Sequence, residues 1–165
     1  KTGDLLEKEI TAYMGRVGKL KTSERQSKEI GGIINAASDI ERIGDHCEIL
    51  LKLLQRRYDE KLELSEEAIM DASEIGDQVL HFLSLIQENI ARTLDDVSPE
   101  FMMEINEIEN DIDEKERKMR ERYVDRLREG SVSVDSGLVF IDMLTSFEKI
   151  GDHAYNVAEM LAGKR

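Results

Sequence analysis

One six-residue stretch decides how this chain folds, because it occurs twice. Residues 41–46 read Glu-Arg-Ile-Gly-Asp-His, and residues 148–153 read Glu-Lys-Ile-Gly-Asp-His, at an offset of 107 residues. The same offset, carried without gaps, also aligns residues 4–9 with residues 111–116. Agreement across two segments in one register indicates an internal duplication.

The sequence around both copies has a helical pattern. Apolar residues recur at helical spacing in five segments, at about residues 4–21, 23–57, 65–90, 98–130 and 134–161. Ser23 and Gln26 have capping-box spacing, and Ser98 precedes Pro99 as a cap precedes a first-turn proline. With a single proline and heavy use of helix formers, strand content should be close to nil. We therefore predict an all-α fold of tandem bundles with five long antiparallel helices.

The repeat divides the chain into two unequal units. Residues 1–57 should form a first unit of two helices, and residues 65–165 a second unit that is a three-helix bundle. The first unit then lacks one helix and exposes an apolar face. Either the second unit or another copy of the chain could cover this face, so a homo-oligomer is possible. Because the chain begins at Lys1 without Met, we also expect it to be a piece of a longer protein.

Charge and composition exclude several classes of partner. With 36 acidic and 23 basic residues, the formal net charge is -13, which repels nucleic acid and anionic membrane surfaces. No stretch approaches the ~20 apolar residues of a membrane span, and no signal peptide is recognisable. Cys47 is the only cysteine, which fits a reducing compartment, and we expect it to be buried on its helix's apolar stripe. An acidic surface attracts cations, although a solvated exterior without ligand is the commoner explanation.

Both copies of the repeated stretch carry a pair of carboxylates. Residues four apart lie on one side of a helix, so Glu41 lies beside Asp45 and Glu148 beside Asp152. Each pair of like charges costs roughly a few tenths of a kcal/mol, which an unliganded surface tolerates. Both copies nevertheless keep Glu, Gly, Asp and His while the neighbouring surface differs. This duplication favours a cation site over a merely solvated face.

The helix hairpins should bring further carboxylates to these pairs. A turn near residue 132 would place Asp111 opposite Asp152, with Glu107 one turn away on the same helix. A turn near residue 22 would place Asp4 within about one turn of Asp45. Converging carboxylates suit hard or borderline divalent cations, and the sequence does not choose among Mg, Mn, Fe and Zn.

The histidine and glycine of each copy are expected to have structural roles. His46 and His153 follow the aspartates by one position and point about 100 degrees away from them. We therefore expect hydrogen bonds to a neighbouring helix, or exposure, rather than metal ligation. Gly44 and Gly151 lie in mid-helix, where glycine costs ~1 kcal/mol relative to alanine. Close helix approach is the simplest reason for them, and room for ligands is the alternative.

The sequence contains no recognised catalytic motif. It has no Glu-x-x-His pattern of di-iron bundles, no phosphate-binding glycine-rich loop and no His-Glu-x-x-His zinc motif. We therefore expect no enzyme activity. The alternative is a metal-dependent hydrolase that uses the carboxylates to activate water.

The duplicated motif resembles that of the PhoU family, phosphate-uptake regulators whose two three-helix bundles carry repeated Glu(or Asp)-x-x-x-Asp motifs. The likeness is closer to the PhoU-like domain that follows the membrane part of bacterial sodium/phosphate cotransporter family proteins. There, Asp-(Leu or Ile)-Glu-Arg-Ile-Gly-Asp-His and an upstream Glu-Lys-Glu-Ile helix are typical, as in residues 38–46 and 7–10 here. The resemblance covers nearly the whole chain.

This resemblance implies a cytoplasmic domain that regulates phosphate transport through contact with a transporter's membrane domain or the transport complex. The alternative is a free-standing regulator that bridges a phosphate transporter and a signalling kinase. In some family members the motif surface carries multinuclear metal clusters. Carried over residue by residue, the metal ligands would be Glu41, Asp45, Glu148, Asp152, Glu107 and Asp111, with Asp4 as the remaining half of a truncated motif.

Overall fold

The computed structural model describes residues 2–90 and 99–163, and within these ranges the chain is helical with no strand. The helices are α1 Thr2–Val17, α2 Glu24–Asp59, α3 Glu66–Asn89, α4 Pro99–Arg128 and α5 Val134–Leu161. The prediction of an all-α fold with five long helices is confirmed. The expectations that concern Lys1 and the Ser98 cap lie outside the described residues.

Local sequence explains where the helices begin and end. Ser23 Oγ accepts a hydrogen bond from the backbone N–H of Gln26, and the Gln26 side chain accepts one from the backbone N–H of Ser23, which forms the predicted capping box. Ser65 and Ser133 cap α3 and α5 in the same way, each through its hydroxyl oxygen. Gly130 adopts a φ of 72°, a left-handed conformation that glycine reaches without steric cost, and this ends α4.

Helix α5 lies at the centre of the molecule. It packs against α2, α3 and α4, whereas α1 packs only against α2 among the described helices. The largest fully buried side chains come mainly from α3, α4 and α5, and include Phe82, Tyr123, Phe140 and Leu144. No described helix combines the length and the apolar run that a membrane span requires.

The first helix pair leaves much of its apolar surface in contact with solvent. Helix α1 has no buried residue, and Leu5 and Tyr13 are 59% and 57% exposed. These side chains form an exposed apolar surface, and the expectation that the first unit lacks a covering helix stays a prediction. Because α2 also packs along α5, the division into residues 1–57 and 65–165 stays a prediction.

The expectation that Cys47 is buried is wrong, because its side chain is exposed. Its counterpart at the repeat offset, Ala154 in α5, is fully buried. The two residues have equivalent positions on their helices. Among the described helices, however, three pack against α5 and only α1 and α5 pack against α2. Burial at this position therefore depends on how many neighbours the helix has.

Candidate metal centres

The first candidate centre joins α1 to α2. Asp4 on α1 and Glu41 and Asp45 on α2 each offer a carboxylate oxygen, and these oxygens all lie within 4.8 Å of one another. We call these residues the α1–α2 set. The expected approach of Asp4 to Asp45 is confirmed.

The electrostatics of the α1–α2 set show that its negative charges are close enough to interact. Desolvation and the neighbouring carboxylates of Asp45 and Asp4 raise the pKa of Glu41 above its ordinary value. A nearby cation would have the opposite effect, because it stabilises the ionised carboxylate. A divalent ion would therefore relieve the repulsion that this arrangement creates.

The second candidate centre joins α4 to α5. Glu109 and Asp113 lie one turn apart on α4, and each offers an oxygen within 4.8 Å of the other and of Asp152 on α5. We call these three residues the α4–α5 set. Glu148 lies beside this set. Its charge helps to raise the pKa of Glu109, and the charge of Asp113 helps to raise the pKa of Glu148.

Burial is greater in the second centre than in the first. Desolvation, followed by the charge of Asp113 and Asp152, raises the pKa of Glu109 above its ordinary value. Desolvation likewise raises the pKa of Glu148 and of Asp113, with Asp152 adding to both rises. Several partly buried carboxylates thus disfavour full ionisation together, which is the condition that a bound cation corrects.

The expected ligands Glu107 and Asp111 do not join this centre. Asp111 accepts hydrogen bonds from Gln78 on α3 and from Lys115 Nζ, the latter at 2.9 Å. These bonds lower the pKa of Asp111 below its ordinary value. Asp111 therefore faces α3 rather than α5, and Glu107 is exposed two positions before Glu109.

The difference from the expected arrangement arises from the register of the two hairpins. Asp4 precedes Asp45 by 41 residues, whereas Asp113 precedes Asp152 by 39, so the second hairpin reaches the same apposition with two fewer residues. Two residues correspond to about 200 degrees around a helix. An ungapped repeat alignment therefore selects Asp111, which lies on nearly the opposite side of α4 from Asp113. No sequence signal indicates this shift, because Glu107 with Asp111 and Glu109 with Asp113 have the same spacing.

A lysine in the second copy of the motif distinguishes the α4–α5 centre from the α1–α2 centre. Lys149 Nζ lies 3.0 Å from Glu148 Oε1 and 2.8 Å from Asp152 Oδ2. Hydrogen bonds to Asp152 and Glu148 raise the pKa of Lys149 above its ordinary value. Arg42 has the equivalent position in α2, yet among the residues that the structure describes it forms no ion pair with Glu41 or Asp45. Sequence reasoning did not single out this difference.

The two motif histidines connect α2 with α5. His153 Nδ1 lies 2.8 Å from Asp39 Oδ1, and Asn156 Nδ2 donates to the same oxygen at 3.1 Å. The rings of His46 and His153 stack with their centroids 6.0 Å apart, so equivalent residues of the repeat meet. The predicted hydrogen bond to a neighbouring helix is confirmed for His153. Neither histidine belongs to a carboxylate set.

The motif glycines have different surroundings. A Cβ added at Gly151 would lie 3.4 Å from Ile112 on α4, so α4 and α5 approach closely there. A Cβ added at Gly44 would meet nothing within 4 Å. Close helix approach therefore explains Gly151, whereas the structure gives no packing reason for Gly44.

The chemistry of both sets fits a divalent cation. All donors are carboxylate oxygens, which suit Mg, Mn and Fe, and Zn also accepts them. The Lys149 ammonium group also shows where positive charge is accommodated between Glu148 and Asp152. The proximity of three carboxylate oxygens in each set makes cation binding geometrically feasible.

Comparison with known proteins agrees with the resemblance of the motif. The PhoU domain family matches residues 73–161, which contain most of α3 and all of α4 and α5. A relative described as phosphate-specific transport system accessory protein PhoU homolog 1, from Thermotoga maritima, is 32% identical over 138 residues. That match covers 82% of this chain and 56% of the relative, so the chain spans about half the relative's length. No solved structure matches the chain significantly.

Proposed function

Because the chain belongs to the PhoU domain family, we propose that it regulates phosphate transport through contacts with the transport machinery and without chemistry of its own. The observation that carries this proposal is the family match over residues 73–161, the part of the chain that contains the second copy of the motif. The relative from Thermotoga maritima is named as an accessory protein of a phosphate-specific transport system, which supports the same role here.

We propose more specifically that the chain is a cytoplasmic domain attached to the membrane part of a sodium/phosphate cotransporter family protein. The motif in residues 38–46 supports this attachment, because its form is typical of such domains. The alternative is a free-standing regulator that bridges a phosphate transporter and a signalling kinase. Cell fractionation of the natural gene product separates them: the attached form sediments with membranes after a high-salt wash, and the free-standing form remains in the supernatant.

The regulatory role is tested by deleting the gene from its host and measuring uptake of radioactive phosphate in phosphate-rich and phosphate-poor media. We expect uptake in rich medium to change at least twofold, and the wild-type gene on a plasmid to restore it. The matched control is a plasmid that carries a frameshifted gene. Uptake that is unaffected by the deletion in both media would contradict the regulatory role.

We also propose that both carboxylate sets bind divalent metal. The ligands would be Asp4, Glu41 and Asp45 in the α1–α2 set, and Glu109, Asp113 and Asp152 in the α4–α5 set with Glu148 beside it. The proximity of three carboxylate oxygens in each set supports this proposal. Glu109 and Asp113 replace Glu107 and Asp111 as the α4 ligands, because Asp111 is engaged by α3.

The metal proposal is tested by purifying the protein without chelator and measuring bound Mn, Fe, Zn and Mg by mass spectrometry. We expect the Glu148→Ala plus Asp152→Ala variant to retain less metal than the wild type. Circular dichroism should show the same helix content in both proteins. Equal metal content in the two would refute binding at the α4–α5 set.

A further inference from the structure

The two candidate centres differ in one respect that the repeated motif does not suggest. In α5, the Lys149 ammonium group bridges Glu148 and Asp152, at 3.0 Å and 2.8 Å. In α2, Arg42 at the matching position makes no such bridge within the described chain. The motif therefore supplies a bridging cation to the carboxylates in α5, whereas Arg42 supplies none in α2.

We propose that Lys149 is a tethered competitor for divalent metal at the α4–α5 set, so that metal enters this centre only by displacing the lysine ammonium group. The inference rests on the proposed metal binding and concerns its regulation. It assigns to Lys149 the role of setting the metal concentration at which the centre fills.

Competition follows from the Asp152 carboxylate, which both Lys149 and the α4–α5 set use. Asp152 belongs to the three residues whose oxygens lie within 4.8 Å of one another, and its Oδ2 also accepts from Lys149 Nζ. A metal bound by Asp152 would lie near the ammonium group, and two cations at such a distance repel strongly where water is partly excluded. Lys149 and the metal are therefore expected to exclude each other from Asp152.

The Lys149 ammonium group is placed so that it can move away from Glu148 and Asp152 into solvent. Its side chain is 43% exposed, whereas that of Glu148 is 22% exposed. Ion pairs with an exposed partner contribute little free energy, and the flexible lysine stem can rotate its ammonium group into solvent. A groove lined by Asp113, Glu116 and Glu148 opens beside the centre and offers a route for the ion. Lys149 therefore weakens metal binding without blocking it.

The consequence is that the two centres respond to metal separately. In the α1–α2 set, Arg42 forms no ion pair with Glu41 or Asp45 among the described residues, so metal there displaces no side chain at the position that Lys149 has in α5. The α4–α5 set has more buried carboxylates, but part of their attraction for metal is offset by Lys149. Substitution of Lys149 should therefore change only one of the two affinities.

The test measures the dissociation constant for Mn²⁺ by equilibrium dialysis with electron paramagnetic resonance, at pH 7. In a background with Asp4→Asn, Glu41→Gln and Asp45→Asn, only the α4–α5 set remains. Adding Lys149→Met to this background should tighten Mn²⁺ binding about tenfold, since the metal no longer displaces two ion pairs. Adding Lys149→Arg, which keeps the charge, should leave the dissociation constant within about threefold.

The matched control is Arg42→Met in a background with Glu109→Gln, Asp113→Asn and Asp152→Asn, where only the α1–α2 set remains. Its Mn²⁺ affinity should change by less than about threefold, because Arg42 makes no ion pair with this set. An equally large gain there would overturn the assignment to Lys149, since it would reflect net charge alone.

Nuclear magnetic resonance of the lysine side chains provides an independent measurement in the wild-type protein. Addition of Zn²⁺ should shift the Lys149 ¹⁵Nζ resonance towards that of a free lysine, while Lys28 on α2 stays unchanged. If wild-type protein binds Mn²⁺ but Lys149→Met does not tighten binding, the competition is refuted and the proposed metal binding stands. If none of these proteins binds Mn²⁺, the metal proposal itself fails and the competition fails with it.

Discussion

The α1–α2 hairpin and the α4–α5 hairpin carry the same motif in different surroundings. In the second hairpin, α3 holds α4 through ion pairs such as Arg122 with Asp71 and Lys115 with Glu74, and Ile150 and Gly151 are buried. In the first hairpin no described helix takes the place of α3, and Gly44 is exposed. The difference teaches that the motif specifies an acidic helix, whereas its neighbours decide how much of that helix is buried.

The largest expected effect concerns the matched isoleucines of the motif. Ile150 is 2% exposed in the main core, whereas Ile43 is only partly buried. Ile150→Ala should lower the free energy of unfolding by about 3 kcal/mol through loss of buried surface and formation of a cavity. Ile43→Ala should cost less than half of this. Urea unfolding measures both, and equal losses would show that the two hairpins are equally packed.

The second effect concerns which α4 carboxylates face α5. Glu109→Gln plus Asp113→Asn should weaken Mn²⁺ binding at the α4–α5 set by at least about tenfold, since it removes two of three anionic ligands. Glu107→Gln plus Asp111→Asn removes the same charge from the same helix at the same spacing, and should change the affinity much less. Titration of Mn²⁺ in the background without the α1–α2 set distinguishes them. The reverse result would restore the register that the ungapped repeat predicts.

The third effect concerns the motif glycines. Gly44→Ala should raise the free energy of unfolding by about 0.5–1 kcal/mol, because alanine favours helix and its Cβ meets open space. Gly151→Ala should give a smaller gain or none, since its Cβ would press on Ile112 at 3.4 Å. Thermal unfolding of both variants measures the difference. An equal gain at both positions would mean that α4 and α5 can separate at little cost.

The smallest effect concerns the two faces of α4. Burial, together with the charges of Asp113, Asp152 and Glu148, raises the pKa of Glu109. Ionisation of Glu109 therefore lowers the stability of the fold above that pKa, and this cost disappears as pH falls through it. Asp111 has a lowered pKa, so its ionised form contributes stability above the unfolded-state pKa, and this is lost as pH falls towards the folded-state pKa.

These opposite signs predict opposite effects in metal-free protein. At pH 7, Glu109→Gln should stabilise the fold, and Asp111→Asn should destabilise it. Each substitution should change the free energy of unfolding by about half a kcal/mol, since both carboxyl groups are partly screened by solvent. The difference in stability between each variant and the wild type should shrink at about pH 4, where the wild-type carboxyl groups take up protons. Urea unfolding at the two pH values checks this, and effects of the same sign at pH 7 would contradict the assignment of the two faces.

Much of the fold could be predicted because it follows from local rules. Apolar spacing indicated five helices, and serines at positions 23, 65 and 133 cap three of them in the structure. The PhoU-like bundle was predicted from the repeated motif and agrees with the family match. Helix bounds depend mainly on neighbours in sequence, so sequence reasoning reaches them.

The structure brings together only part of the site that the sequence predicts, and the differences have a common cause. Asp4, Glu41 and Asp45 meet as expected, but Asp111 does not reach Asp152. The contact between α4 and α5 depends on the length of the connection and on how the two helices pack, and neither is encoded in the motif. The bridge from Lys149 also requires the side-chain positions of the folded state.

The sequence by itself determined the helices, their acidic faces and the duplication, because periodicity, capping and side-chain charge are properties of short segments. The tertiary structure alone decided which acidic residues of α4 meet α5, and which copy of the motif is buried. It also decided that Lys149 lies between Glu148 and Asp152, whereas Arg42 has no such pairing in the described chain. The physical reason is that burial and charge proximity arise from contacts between helices distant in sequence, and two residues of register reverse the face that a helix presents.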